Sequence, residues 1–188
     1  LIGIIGCGTI LASFILSLVL FFELSGSTQK QFPVELFDWI SVTNLHIPFS
    51  FLYDPLSAIM LLIITGIGFL IHIYSVGYMH DDEGFGKFFA YLNLFIFFML
   101  ILVLGSNYIV MFIGWEGVGL CSYLLIGFWF TNDSYASAAK KAFVMNRIGD
   151  LGFLLGVFVI FTTFGSVEFA KVFPLAANMM PGAATITL

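Results

Sequence analysis

The sequence predicts an all-α fold, a polytopic membrane helix bundle with about five transmembrane helices in its 188 residues. Composition is the first reason: 61% of the residues are hydrophobic and 9% charged, with a mean hydropathy of +1.10, whereas about a quarter of the residues in a soluble domain are charged. Apolar runs near the ~20 residues that a helix needs to cross a bilayer recur along the chain. Most charges fall between those runs, so the net charge of −5 belongs to loops. No basic face addresses a nucleic acid. Cys7 and Cys121 sit in apolar runs with no His/Cys spacing suited to a metal or a disulfide, and read as small packing residues.

Residues 2–22 carry no charge and form the first span. Residues 23–54 are polar and aromatic-rich, with Pro33, Trp39 and Pro48. They read as an extramembrane loop that holds strands or a hairpin at Phe32 to Trp39 and His46 to Leu52, His46 being an ordinary loop histidine. Asp54-Pro55 opens the second span, 55–76, with an acidic N-cap and a proline whose missing N–H does no harm at the first helical position. His72, near the far end of that span, reads as a hydrogen-bonded interfacial histidine ahead of a proton carrier. In the turn that follows, Asp81, Asp82 and Glu83 do not have the spacing of a calcium loop.

From Phe88 to Asn132 the chain is about twice as long as one crossing requires. The turn residues Gly105-Ser106-Asn107 divide it into spans at 88–104 and 108–130. The fifth span, 137–164, holds Lys140, Lys141, Arg147 and Asp150 in its first half. Two arrangements are open: the helix projects from the membrane, or the lysines lie at the interface with Arg147 and Asp150 submerged. Submersion is favoured, because the i, i+3 spacing lets Arg147 and Asp150 pair on one face. Gly165 to Pro181 returns to water with a short amphipathic turn at Val167 to Phe173. The apolar residues from Ala183 to Leu188 suggest another helix, and Leu1 opens directly on apolar sequence, so residues 1–188 read as one region of a longer chain.

With five crossings, Lys87, Lys140, Lys141 and Arg147 collect at one side and Lys30 and Lys171 at the other. Positive charge marks the inner side of short loops, so the first group faces inward.

Glu116 is the only charge between Phe88 and Asn132. An ionised side chain at that depth costs roughly 3 kcal/mol on insertion scales, so the default expectation is a functional site. The bland alternative is a protonated carboxyl that only bonds a neighbouring helix. Gly114, Gly117 and Gly119 flank Glu116 and permit close helix approach. Burial disfavours a charged carboxylate and a nearby cation favours it, so moving a cation loads or releases a proton.

The run Gly-Trp-Glu-Gly-Val-Gly-Leu-Cys-Ser-Tyr-Leu-Leu-Ile-Gly-Phe-Trp at 114–129 is similar to a known family. So are Lys141-Ala142-Phe143, Asn146-Arg147-Ile148-Gly149-Asp150 and Phe88-Phe89-Ala90-Tyr91-Leu92-Asn93-Leu94-Phe95. Together they resemble the antiporter-like membrane-arm subunits (subunit L, or chain 5) of proton-pumping NADH-quinone oxidoreductase, respiratory complex I. The resemblance implies a proton-translocating subunit whose helices two to six are the five spans here. It implies that Glu116 matches the family's helix-five glutamate and that Arg147 and Asp150 match a charged pair on helix six. Lys140, Lys141 and His72 are secondary candidates. The cation facing Glu116 is expected from a helix outside this chain. NADH, FMN, iron-sulfur clusters and quinone would sit in partner subunits and no cofactor in this chain. The partners would be other membrane-arm subunits and the lipid bilayer. The location would be a bacterial inner membrane, with the mitochondrial inner membrane as the alternative. A subunit of a stand-alone monovalent cation/proton antiporter is the rival reading, and a purely structural membrane subunit is a third.

Overall fold

The computed structural model describes residues 1–42 and 45–179. The helix expected from Ala183 lies outside the described residues. The elements in order are α1 (Ile2–Gly26), β1 (Phe32–Val42), β2 (Leu45–Tyr53), α2 (Pro55–Tyr78), α3 (Phe85–Leu104), α4 (Tyr108–Ile126), α5 (Asp133–Phe164) and α6 (Phe169–Ala177). Helices α1 to α5 are each long and apolar enough to cross a membrane. Their outward faces carry exposed Ile63, Ile67, Leu70, Ile148, Leu151 and Leu155, as a bundle immersed in lipid or packed on further helices requires.

Local chemistry sets the helix ends. Asp54 accepts from the Ser57 amide at 2.8 Å while its own amide donates to Ser57 Oγ, a reciprocal box that starts α2 with Pro55 in the first turn. Asn107 Oδ1 accepts from the amides of Ile109 and Val110 and starts α4. The span expected at 108–130 ends earlier, at Ile126, where Gly127 closes the helix. The span expected at 137–164 begins earlier, at Asp133, because Asn132 caps its first turn. Helix α1 continues past residue 22 to Gly26, and Lys30 Nζ donates to the Leu24 and Ser25 carbonyls of its last turn.

The bundle is built serially, with α1 on α2, α2 on α3, α3 on α4 and α4 on α5. Ile10, Ile64 and Ile96 knit the first three helices together. The α3–α4 contact depends on two glycines. A Cβ on Gly114 would collide with the Leu102 backbone and one on Gly117 with the Phe98 ring, whereas Gly119 meets only Asn146 at ordinary contact distance. At the end of the bundle where α4 starts, the strands expected within residues 23–54 form an antiparallel hairpin, somewhat longer than expected. Asn107 Nδ2 donates to the Pro48 carbonyl at 2.9 Å, the Ser106 amide donates to Ser50, and the Phe169 amide donates to Ser106. The hairpin, the 105–107 turn and the start of α6 therefore form one hydrogen-bonded layer. At the opposite end, Asp82 accepts from Trp129 Nε1 at 2.8 Å and ties the α2–α3 turn to the end of α4.

Two outcomes follow from this architecture. Gly114→Ala overpacks a backbone contact, a change that costs about 1–3 kcal/mol, so the variant accumulates less folded protein in membranes while Gly119→Ala matches wild type on the same blot. For orientation, cysteines are placed at the exposed positions Ser41 and Asn132. A membrane-impermeant thiol reagent on intact cells labels Ser41→Cys and spares Asn132→Cys, and the reverse pattern inverts the topology.

Candidate functional site

Helices α4 and α5 bring together the three charges singled out by sequence. Arg147 Nη1 donates to Glu116 Oε2 and lies 3.4 Å from Asp150 Oδ2, so one guanidinium bridges two carboxylates. Asp150 is held from the other side by Trp115 Nε1, which donates to its Oδ1 at 2.8 Å. The Arg147 guanidinium also lies over the Phe143 ring, 4.6 Å from its centroid, one helical turn back on α5.

Depth is the decisive property of the cluster. Glu116 is the ninth of the 19 residues of α4 and Arg147 the fifteenth of the 32 of α5. Both are mid-helix, about 12 Å and 21 Å from their helix starts at 1.5 Å rise per residue. The members differ in freedom: the Asp150 side chain is 7% exposed, Glu116 26% and Arg147 40%. Asp150 is the most enclosed of the three and Arg147 the most open. Beside Asp150 a cavity of about 310 Å³ opens between α3, α4 and α5, with Ser122, Asn146 and Gly149 among its lining residues. That volume holds several water molecules.

The secondary candidates lie apart from this cluster. His72, near the end of α2, is fully buried between helices. Its Nδ1 bonds the Gly68 carbonyl at 2.7 Å, so Nδ1 carries the proton, and its Nε2 is buried without a partner among the described residues. Its ring meets Phe89 on α3. Lys140 and Lys141 are exposed, two helical turns before Arg147, and bond nothing in the cluster. His46 is on strand β2, where Nε2 approaches Asp38 Oδ1 at 3.1 Å in an exposed pair near Glu35. Outside the spans, burial pushes the Tyr53 phenol above its usual range, with a further rise from the Glu23 charge.

Two members of the site were not singled out by sequence. Trp115 carried a signal, being adjacent to Glu116. Phe143 carried one too, four residues before Arg147 and so on the same helical face. Within this chain, the cation that lies on Glu116 is Arg147.

Comparison with known proteins fixes the family. Residues 39–89 match the family described as "NADH-Ubiquinone oxidoreductase (complex I), chain 5 N-terminus", and residues 105–188 match "NADH:quinone oxidoreductase/Mrp antiporter, TM". The chain belongs to the antiporter-like membrane subunits of NADH:quinone oxidoreductase. NADH-quinone oxidoreductase subunit L of Mycobacterium tuberculosis (strain ATCC 25618 / H37Rv) is 48% identical over 172 residues, 90% of this chain and 27% of that protein. NADH-ubiquinone oxidoreductase chain 5 of Rhizopus stolonifer is 49% identical over 173 residues, covering 92% and 26%. The chain thus spans about a quarter of the length of these relatives. Among solved structures, the Mrp complex from Dietzia sp. DQ12-45-1b superposes with a TM-score of 0.78 at 22% identity, over 93% of this chain and 18% of that one. An archaeal membrane-bound sulfane sulfur reductase gives a TM-score of 0.79 at 18% identity, over 95% of this chain and 35% of that one. These likenesses show a shared fold. The antiporter-like subunit is a multi-pass inner-membrane protein.

Asp150→Asn tests whether the cluster behaves as an electrostatic unit. Losing one partner of a fully buried pair costs about 3–5 kcal/mol. Here the cost falls short of that, because Arg147 keeps Glu116 and is partly exposed. It still exceeds that of Lys140→Gln, a surface change expected within about 0.5 kcal/mol. Blue-native gels of membranes are expected to show reduced assembly for Asp150→Asn and normal assembly for Lys140→Gln. Equal, negligible losses would place the pair in water.

Proposed function

We propose that this chain supplies one proton-relay station of a proton-translocating membrane-arm subunit, in which Arg147 shifts its charge between Glu116 and Asp150. The single observation that carries the reading is the bridge itself, one guanidinium shared by two carboxylates at mid-helix depth in α4 and α5. When Arg147 lies on Glu116, the glutamate is favoured as an anion. When the guanidinium withdraws toward Asp150, an uncompensated carboxylate is left in a low-dielectric setting, where taking up a proton is the cheaper state. Trp115 keeps Asp150 fixed as the second acceptor through its indole N–H. The cavity beside Asp150, with Ser122 and Asn146 in its wall, offers water a place from which protons reach or leave the pair.

Moving one elementary charge across the membrane is opposed by roughly 2.3 kcal/mol per 100 mV, so the station needs an external drive. In this proposal partner subunits provide it by oxidising NADH with quinone through FMN and iron-sulfur clusters, and this chain does no redox chemistry. The rival reading, a stand-alone cation/proton antiporter subunit, has the shared fold in its favour. The 48–49% identities to complex I subunits weigh more than a 22% identity to the Mrp complex chain.

Glu116→Gln keeps volume and hydrogen bonding but cannot ionise. In sealed vesicles containing the assembled complex, protons pumped per NADH oxidised are expected to fall severalfold while assembly is retained, with Glu116→Asp intermediate. Wild-type pumping by an assembled Glu116→Gln complex would make Glu116 a satisfied buried carboxyl and overturn the reading.

A further inference from the structure

A cavity of about 350 Å³ lies between the starts of α3 and α5 and the end of α4, at the bundle end opposite the hairpin. Lys87 and Lys140 line it, together with Tyr91, Tyr123, Leu124 and Phe128. We propose that this cleft binds the phosphate-bearing headgroup of an anionic phospholipid from the surrounding bilayer.

The charge argument comes first. Two lysines on different helices converge on one cleft, and among the described residues neither has an ion-pair partner or a hydrogen bond. Lys87 is held by the Phe130 ring, 5.9 Å from its centroid, which orients the ammonium without neutralising it. The turn before α3 carries Asp81, Asp82 and Glu83, none of which lines the cleft, and the Asp82 carboxylate is turned to the Gly84 amide through Oδ1 and to Trp129 through Oδ2. Asp133 is two helical turns before Lys140, about 10 Å along α5. The wall of the cleft therefore offers an incoming anion two lysines and two tyrosines and no carboxylate.

Depth selects the kind of anion. Phe98 packs against Gly117, next to Glu116, and so marks the level of the ion cluster on α3. Lys87 lies eleven residues before it, about 17 Å along the axis, close to the ~15 Å half-thickness of a bilayer's hydrocarbon core. Lys140 is seven residues before Arg147 and about 10 Å from that level, near enough for its four-carbon stem to bring the ammonium up to the headgroups. Leu124 and Phe128 supply an apolar wall for the start of an acyl chain. Basic pockets between membrane helices are suited to anionic lipid headgroups, and a free phosphate would leave that apolar wall unused.

The test uses the full-length protein in its assembled, purified complex, reconstituted in phosphatidylcholine vesicles with a trace of photoactivatable phosphatidylglycerol. After illumination, adducts are mapped by mass spectrometry of peptides. Wild type is expected to carry adducts within 84–91 and 123–140, at least tenfold above those from a photoactivatable phosphatidylcholine. Each basic group near the headgroups is worth about fivefold in affinity, so Lys87→Gln/Lys140→Gln is expected to lower the yield by about 25-fold. Lys87→Arg/Lys140→Arg retains the yield, and Lys30→Gln at the opposite end of the bundle leaves it unchanged. Equal labelling by the two probes, an undiminished yield in the double glutamine variant, or no adduct in wild type because protein covers the cleft would each overturn the proposal. Loss of the adduct on adding millimolar inorganic phosphate would make the occupant a free anion and overturn it as well.

Discussion

One guanidinium between two carboxylates sets the terms for the middle of this bundle. In water such a triad would contribute little, because surface ion pairs are worth about 0–1 kcal/mol. Between apolar helices, each member depends on the others. Arg147 without its acids would be a desolvated cation, and Glu116 and Asp150 without Arg147 would be like charges that cannot both stay ionised cheaply. The exposures are graded accordingly, with Asp150 sealed under Trp115, Glu116 intermediate and Arg147 the most open. A fixed acceptor, a second acceptor and a movable cation are the parts a two-position device requires. Phe143 under the guanidinium adds a contact to Arg147 without adding a competing charge.

The triad holds its geometry because the helices carrying it are positioned from their far sides. Gly114 and Gly117 seat α4 directly on Leu102 and Phe98 of α3, and the neighbouring positions 115 and 116 then turn toward α5. Helical periodicity does the sorting, since residues one and two apart face away from each other. The glycines do not line the glutamate's own contact, as their sequence proximity suggests. They bring α3 close behind it, while Trp115, stacked near Phe153, fixes the register of α4 against α5.

Fold class was legible because bilayer physics leaves few choices: a chain this apolar must satisfy its backbone internally, and helices do so span by span. The break at 105–107 and the start at Asp54-Pro55 were legible from turn and cap chemistry. Helix ends such as Ile126 and Asp133 were less so, since apolar sequence continues past Gly127 and polar sequence is already helical behind the Asn132 cap. Within the site, the i, i+3 relation of Arg147 and Asp150 could be read from spacing. The contact of Arg147 with Glu116 spans 31 residues and depends on how α4 packs on α5, which no local pattern encodes. The cover that Phe89 of α3 gives His72 was not legible for a related reason, since it depends on how α3 packs against α2.

The two ends of the bundle are built to opposite specifications. At one end the hairpin, the 105–107 turn and α6 are stitched by backbone bonds around the fully buried Asn107, whose side chain serves α4 and the hairpin at once. Backbone groups committed in this way leave few sites for water. The other end is tied by side chains, Trp129 to Asp82 and Lys87 over the Phe130 ring, and gathers lysines around an open cleft. The cavity beside Asp150 begins at mid-depth, with Ser122 and Met145 lying toward that looser end. If the triad exchanges protons, this asymmetry makes access easier from the basic end than through the hydrogen-bonded layer. Exit past that layer would then depend on helices that pack against the exposed apolar face of α5.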